Sequence, residues 1–379
     1  MGVLLGLGAL LLVRGFFHWT VTSGGGFGAP GEEDYYNFLV RGWRSGHLHM
    51  SKDPAPEMLA LADPYDPTQN NAVRLADASY FKGHYYLYFG ATPAALVMLP
   101  YGLLTGRELG TTTTLFVFCV TGFVTASLLW LKLRHDYFPG SALWIGPAGV
   151  LVLGFGTHVL ALQRRPLVWE LPIATAYAFS MLALAALYRL IHRPSSGTAF
   201  LAGLCLGLAA ASRPTYLVGT IALVPVAWEW WRNCRSAPAR AMTHLGWMGG
   251  GLMVCCAAVA AHNIARFENP FEFGQNFQLT SVYESKVAHF RPRYLPHNLG
   301  IYYLNAPDLS AKFPFVRATA VNHGPPGYLG FWNEPVCGLA LTFPFLWLAL
   351  AAPLAWWNRG DDERMRLRTF GLSTVGLFV

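Results

Sequence analysis

Apolar segments near twenty residues long recur along almost the whole chain, and this recurrence decides what it can fold into. They cover about residues 3–23, 92–105, 112–131, 142–162, 167–188, 198–211, 214–231, 243–264 and 336–357, and another begins near 369. Twenty residues of helix span about 30 Å at about 1.5 Å per residue, the thickness of bilayer hydrocarbon. Only 12% of residues are charged against 54% hydrophobic, and the mean hydropathy of +0.34 is too high for a water-soluble domain. The pattern predicts an all-α polytopic membrane protein with one transmembrane domain over residues 1–379. Met1 is followed by no basic stretch and no small-residue cleavage site, so the first segment is read as a retained helix rather than a leader.

The formal charge of +7 reports orientation rather than a nucleic-acid partner, because the basic residues cluster between the apolar segments. Lys132 and Arg134, Arg189 and Arg193, Arg232, Arg235 and Arg240, and Arg359, Arg364, Arg366 and Arg368 share one side if the intervening segments alternate. By the positive-inside tendency that side is cytoplasmic. The same phase puts Arg164-Arg165-Pro166, Ser212-Arg213-Pro214 and a long loop over 266–335 outside. One segment must then fail to cross, or the loop over 24–91 would face the other way. Residues 92–105, with Pro93 and Pro100 inside and a reach of about 21 Å, are the ones expected to be re-entrant or interfacial. The six cysteines show no metal-ligand spacing and read as packing residues.

The first external loop, 24–91, opens with Glu32-Glu33-Asp34-Tyr35-Tyr36 directly after the first apolar segment. Carboxylates at a bilayer surface suit general-base work on a substrate half held in lipid, and a solvated helix start explains them equally well. Tyr35, Phe38, Leu39 and Trp43 then recur at helical spacing, as in a helix lying along the interface. Asp53-Pro54 through Asp66-Pro67 reads as an ordered run of turns, and the aromatic stretch Ser79–Gly90 around Lys82 reads as a headgroup belt. Asp63 and Asp66 could approach a divalent cation, but Asp-Pro turns are the commoner cause and no Asp-x-Asp triplet is present, so neither metal nor cofactor is indicated. The second external loop, 266–335, is too long for a mere connection and too aromatic for disorder; it is expected to pack on the first loop, with His323 and Glu334 near its end.

An N-terminal helix, an acidic first external loop opening with an interfacial helix, many further helices and a second large external loop together resemble the C-type (GT-C) membrane glycosyltransferases. That superfamily includes the protein O-mannosyltransferases and the bacterial lipid A aminoarabinose transferase. The resemblance implies a GT-C-like helical bundle in which an early first-loop acid, here Asp34 or Glu33, serves as base or organises the acceptor. It likewise implies roles for an acid at the external start of a middle helix, Glu170 in Trp169-Glu170-Leu171, and for a basic residue ending the next one, Arg213. It also implies C-terminal helices or a domain beyond Val379, so the chain is expected to be incomplete there.

Outside the cytoplasm nucleotide sugars are not supplied, so the expected donor is a polyprenyl-phosphate-linked sugar in the membrane lipid, with a glycan, lipid or protein acceptor. A carboxylate would deprotonate the acceptor, and Arg213, Arg164, Arg165 or Lys82 would balance the departing phosphate. The expected location is a bacterial inner (plasma) membrane with the site facing outside. The rival readings are a transporter or lipid-linked oligosaccharide flippase and an assembly protein without chemistry. A transporter should carry midplane charges or repeated halves, whereas here the charges concentrate at segment ends.

Overall fold

Apolar runs whose interior is free of proline form long helices, and runs with proline past the first turn do not. The computed structural model describes residues 2–233, 238–289, 291–313, 315–321, 324–325, 327–328, 335–357 and 359–378. The chain is mostly helical and divides into two compact units. The first unit comprises Met1–Lys52, Phe89–Phe273 and Trp356–Val379. It contains α1 (Gly2–Thr22), α2 (Tyr35–Arg44), α3 (Ala94–Thr105), α4 (Thr111–Tyr137), α5 (Ile145–Phe155) and α6 (Val159–Arg164). These are followed by α7 (Glu170–His192), α8 (Ser196–Ser212), α9 (Val224–Asn233), α10 (Pro238–Phe267) and α11 (Asp361–Phe378).

Four of the described helices, α1, α4, α7 and α10, are long and apolar enough to cross a membrane. The apolar window of α7 is 72% buried against 28% for α1 and 22% for α10, so α7 is the interior helix and the other two present large apolar side chains outward. Leu4, Leu11, Leu12, Met253 and Ile264 are among those exposed side chains, as expected where the solvent is hydrocarbon. α7 packs between α4 and α8, and α8 lies along α10. The last contact depends on Gly203-x-x-x-Gly207 of α8: a Cβ at Gly203 would meet the Met248 carbonyl, and one at Gly251 would meet the Phe200 carbonyl. Small residues at that spacing let two membrane helices approach backbone to backbone.

Other expected crossings are shorter or broken. The 142–162 run parts at Gly156-Thr157-His158 into α5 and α6. The 214–231 run starts as a 3-10 helix, Pro214–Leu223, and passes into α9, where Pro225 supplies no N–H to the first turn. Similarly, Pro344 and Pro353 divide the 336–357 run into short pieces.

Segment 92–105 forms α3, whose twelve residues reach about 18 Å. Both its flanks are bonded to α2. Before it, the Gly90 carbonyl accepts from the Tyr36 hydroxyl at 3.2 Å; after it, the Leu109 carbonyl accepts from Asn37 Nδ2 at 3.1 Å. Arg41 closes the turn with a two-pronged bond to Glu108, both contacts at 2.6 Å. The chain therefore leaves α2 and returns to it, and α3 does not carry it from one end of the bundle to the other.

The second unit combines Asp53–Tyr88 of the first loop with Gly274–Ala355, so the two loops do pack together. Arg74 donates to the Thr280 carbonyl, Ser79 Oγ to the Gly274 carbonyl at 2.8 Å, and the Tyr283 hydroxyl to Asp63 at 2.6 Å. The all-α expectation needs correcting in this unit, since three two-stranded sheets occur among the described residues. The longest is the hairpin of β1 (Ala78–Phe81) and β2 (His84–Leu87), with Tyr80 opposite Tyr85 and Ala78 opposite Leu87. What read as a headgroup belt is thus a strand pair whose buried residues alternate along β2, joined by Lys82-Gly83 with φ of 49° and 82°. Two positive φ values are what a type I′ turn needs to follow the strand twist.

Candidate functional site

One acid of the opening loop, Asp34, meets the starts of two helices of the first unit. Asp34 caps α2: its Oδ1 accepts from the Asn37 backbone N–H at 3.1 Å and from the Thr111 hydroxyl at 2.8 Å. Its Oδ2 accepts from the Thr111 backbone N–H at 2.9 Å. Thr111 opens α4, so one carboxylate closes two helix N-termini, where the helix dipoles favour negative charge. Three of its roughly four acceptor positions are taken, leaving one on Oδ2.

Tyr36 lies two residues further on, in the first turn of α2, and is fully buried. Burial pushes its phenol well above the usual value; the charge of Asp34 adds to the rise and that of Arg213 opposes it. Gly90, which takes the Tyr36 hydrogen bond, also lies against the end of α8. A Cβ there would strike the carbonyl oxygens of Ala211 and Ser212, so only glycine permits the approach that brings Arg213 toward Tyr36.

Glu170 begins α7, four residues after Pro166 of Arg164-Arg165-Pro166. Its Oε1 stands 3.8 Å from Arg165 Nε, and the positive charges of Arg165 and Arg213 both reach it. Arg165 in turn lies over the Trp169 ring, 5.2 Å from its centroid. Two atoms here are buried without a hydrogen-bond partner among the described residues: Glu170 Oε2 and Arg213 Nη1. An unpaired buried polar atom costs about 1–3 kcal/mol, more when charged, so two of opposite sign within electrostatic reach mark a place for a ligand with both donor and acceptor groups.

No protein-family model, curated protein or solved structure matches this chain. What the site can do chemically follows from its own groups.

Of the predicted site residues, Arg165 and Glu170 are in contact, the charge of Arg213 reaches both Glu170 and Tyr36, and the charge of Asp34 reaches Tyr36. Glu33 is exposed and reaches Lys52 at 3.3 Å, a surface ion pair worth under about 1 kcal/mol. Arg164 is exposed at the end of α6. Lys82 belongs to the second unit, in the hairpin turn, with its ammonium 5.3 Å from the Phe81 centroid. Asp63 and Asp66 are occupied as turn residues: Asp63 accepts from the Tyr65 N–H and Tyr283, and Asp66 from Thr68 and Gln69. Among the described residues no three His, Cys, Asp or Glu side chains gather as a metal set. His323 and Glu334 lie outside the described residues.

Sequence reading missed several groups. Gln163 is fully buried in α6 with both amide atoms unpaired, and Trp43 Nε1 of α2 and His262 Nε2 of α10 are buried and unpaired in edge-on contact, ring centroids 6.2 Å apart. A glutamine and a histidine inside apolar runs were available signals, because polar residues within membrane segments are costly and default to function. Tyr36 carried no such signal, since its burial depends on Gly90 and α8.

Proposed function

We propose that the protein is a membrane glycosyltransferase that moves a sugar from a polyprenyl-phosphate donor to an acceptor hydroxyl outside the cytoplasm, on a GT-C-like helical bundle. The observation that supports this most is that a buried carboxylate oxygen of Glu170 and a buried guanidinium nitrogen of Arg213 are both without a hydrogen-bond partner among the described residues. Both sit at helix ends, and the charge of Arg213 reaches Glu170 on one side and Tyr36 on the other.

In this reading Arg213, helped by Arg165, binds the donor phosphate, for which a planar guanidinium offers parallel donors. Glu170 takes the proton of the acceptor hydroxyl as that oxygen bonds to the sugar's anomeric carbon. The bond from that carbon to the phosphate oxygen breaks, and polyprenyl phosphate leaves with the electron pair, its charge held by arginine. Asp34, already bonded to Asn37 and Thr111, positions α2 and α4 around the reacting groups. The acceptor then stands on the carboxylate side and the lipid tail in the bilayer.

The test is glycan profiling of a strain lacking the protein, by mass spectrometry of its surface polymers and proteins, complemented with the full chain or its variants. Loss of one sugar residue, restored by the wild type and not by Glu170→Gln or Arg213→Gln at equal expression, is expected. Asp34→Asn should restore it in part. Restoration by Glu170→Gln together with failure of Asp34→Asn would move the base role to Asp34, and restoration by all three would remove the reading.

A further inference from the structure

α4 and α7 both run away from the candidate site, and at their far ends, about 35–40 Å away at about 1.5 Å per residue, they enclose a cavity of about 850 Å³ with α11. Four cations line it: Lys132 of α4, Arg189 and Arg193 at the end of α7, and Arg366 of α11. Asp136 is the one acid on its wall, and its oxygens are taken: they accept from Lys132 at 2.7 Å, from His135 at 3.0 Å and from the Tyr188 hydroxyl. His192 is occupied too. Its Nδ1 faces the Tyr188 carbonyl at 2.7 Å, which can only accept, so Nδ1 donates and Nε2 takes the Tyr137 hydroxyl.

Lys132 is thus compensated, and Arg189, Arg193 and Arg366 have no carboxylate among the described residues. Neighbouring arginines of the same unit are treated differently. Arg359 pairs with Glu363 at 2.7 Å, Arg364 approaches Asp361 at 3.7 Å, and Arg368 and Arg232 share Glu229. The fold supplies acids to those arginines and none to the three in the cavity.

The wall changes character toward the middle of the bundle. Leu128 lies one turn below Lys132 and Leu182 two turns below Arg189, with Leu129 and Ala185 beside them. A cationic rim over an apolar wall about 10 Å deep matches a phosphate attached to hydrocarbon better than a free anion. The Lys/Arg-rich ends are cytoplasmic by the positive-inside tendency, and the cytoplasmic leaflet is the one rich in anionic lipid.

We infer that this cavity is a binding site for an anionic glycerophospholipid, its phosphate held by Arg189, Arg193 and Arg366 and an acyl chain lying along Leu128 and Leu182. The site is separate from the one proposed for glycosyl transfer and does not depend on that reading. Occupancy would tie the far ends of α4, α7 and α11 together from the lipid side.

The experiment is native mass spectrometry of the full chain in detergent, titrated with phosphatidylglycerol or phosphatidylcholine of matched chains, with thermal midpoints measured alongside. Wild type should prefer phosphatidylglycerol, and the triple change Arg189→Gln, Arg193→Gln, Arg366→Gln should cut that preference about a hundredfold at low salt, at roughly fivefold per cation. The triple lysine variant, which keeps the charge, should retain most of it and reports on folding. Equal binding of the two lipids by wild type, or an unchanged preference in the glutamine variant, overturns the inference. So does full displacement of phosphatidylglycerol by millimolar inorganic phosphate, because the acyl chain would then contribute nothing.

Discussion

Asp63 and Asp66 of the second unit and Glu170 of the first are all acids close to prolines and aromatics, the aspartates read as Asp-Pro turn residues and the glutamate as the start of a middle helix. In the folded chain they differ completely. Every oxygen that Asp63 and Asp66 use is met by a neighbour in the same unit, Tyr65 and Tyr283 for one and Thr68 and Gln69 for the other. Glu170 keeps one buried oxygen unmet, and Arg213, whose charge reaches it, keeps a buried nitrogen unmet. The lesson is that an acid answered by its own chain builds the fold, whereas an acid left unanswered at the cost of desolvation is available to something else. Asp34 falls between the two, with three hydrogen bonds and one acceptor position left.

That contrast can be broken by mutation. Glu170→Gln is expected to lower sugar transfer at least a hundredfold, the usual reach of a lost general base, while Asp63→Asn leaves it within about twofold. Equal losses in both would erase the distinction. Gly90→Ala should destabilise the protein by about 1–3 kcal/mol, because the added methyl has only the carbonyls of Ala211 and Ser212 to push against. The thermal midpoint in detergent reads this, and an unchanged midpoint would mean that α8 is free to shift and that Arg213 is not fixed toward Tyr36. Asp34→Ala removes the cap of α2 and the bond to α4, for a loss of about 1–2 kcal/mol.

The smallest effect expected is one of pH. The bond from Arg41 holds the Glu108 carboxyl below the usual carboxylate range, with burial opposing. A depressed acid contributes stability that is complete above its unfolded value of about 4.3 and is lost as pH falls through the lower folded value. Both side chains are partly exposed, so solvent screening keeps the effect under about 1 kcal/mol. Proteolysis of the α2 region should therefore speed up only in acid, and Glu108→Gln should abolish that dependence.

The long apolar runs of α1, α4, α7 and α10 could be read from sequence because an apolar run without an interior proline is both hydropathic and able to continue as one helix. The return of α3 could also be read, from its two prolines and short reach, and the bonds of Tyr36, Asn37 and Arg41 to its flanks give the mechanism. The β1–β2 hairpin was hidden by its aromatics, which suit a headgroup belt as well as a strand; the Lys82-Gly83 pair between two aromatic runs was the turn signal that went unread. Nor could sequence separate Asp34 from Glu33. Their difference lies in Thr111, seventy-seven positions after Asp34, whose N–H and hydroxyl select one acid and leave the other to Lys52.

The central claim is that Arg213 holds the donor phosphate while Glu170 deprotonates the acceptor in one transfer step. It is tested most directly in proteoliposomes of the full chain, supplied with a total polyprenyl-phosphate-sugar extract as donor and a cell-envelope extract as acceptor, and followed by the release of polyprenyl phosphate. Release by wild type, abolished in Glu170→Gln and in Arg213→Gln, with Arg213→Lys retaining a fraction, is the predicted result. Release at the wild-type rate from both Glu170→Gln and Arg213→Gln would contradict it.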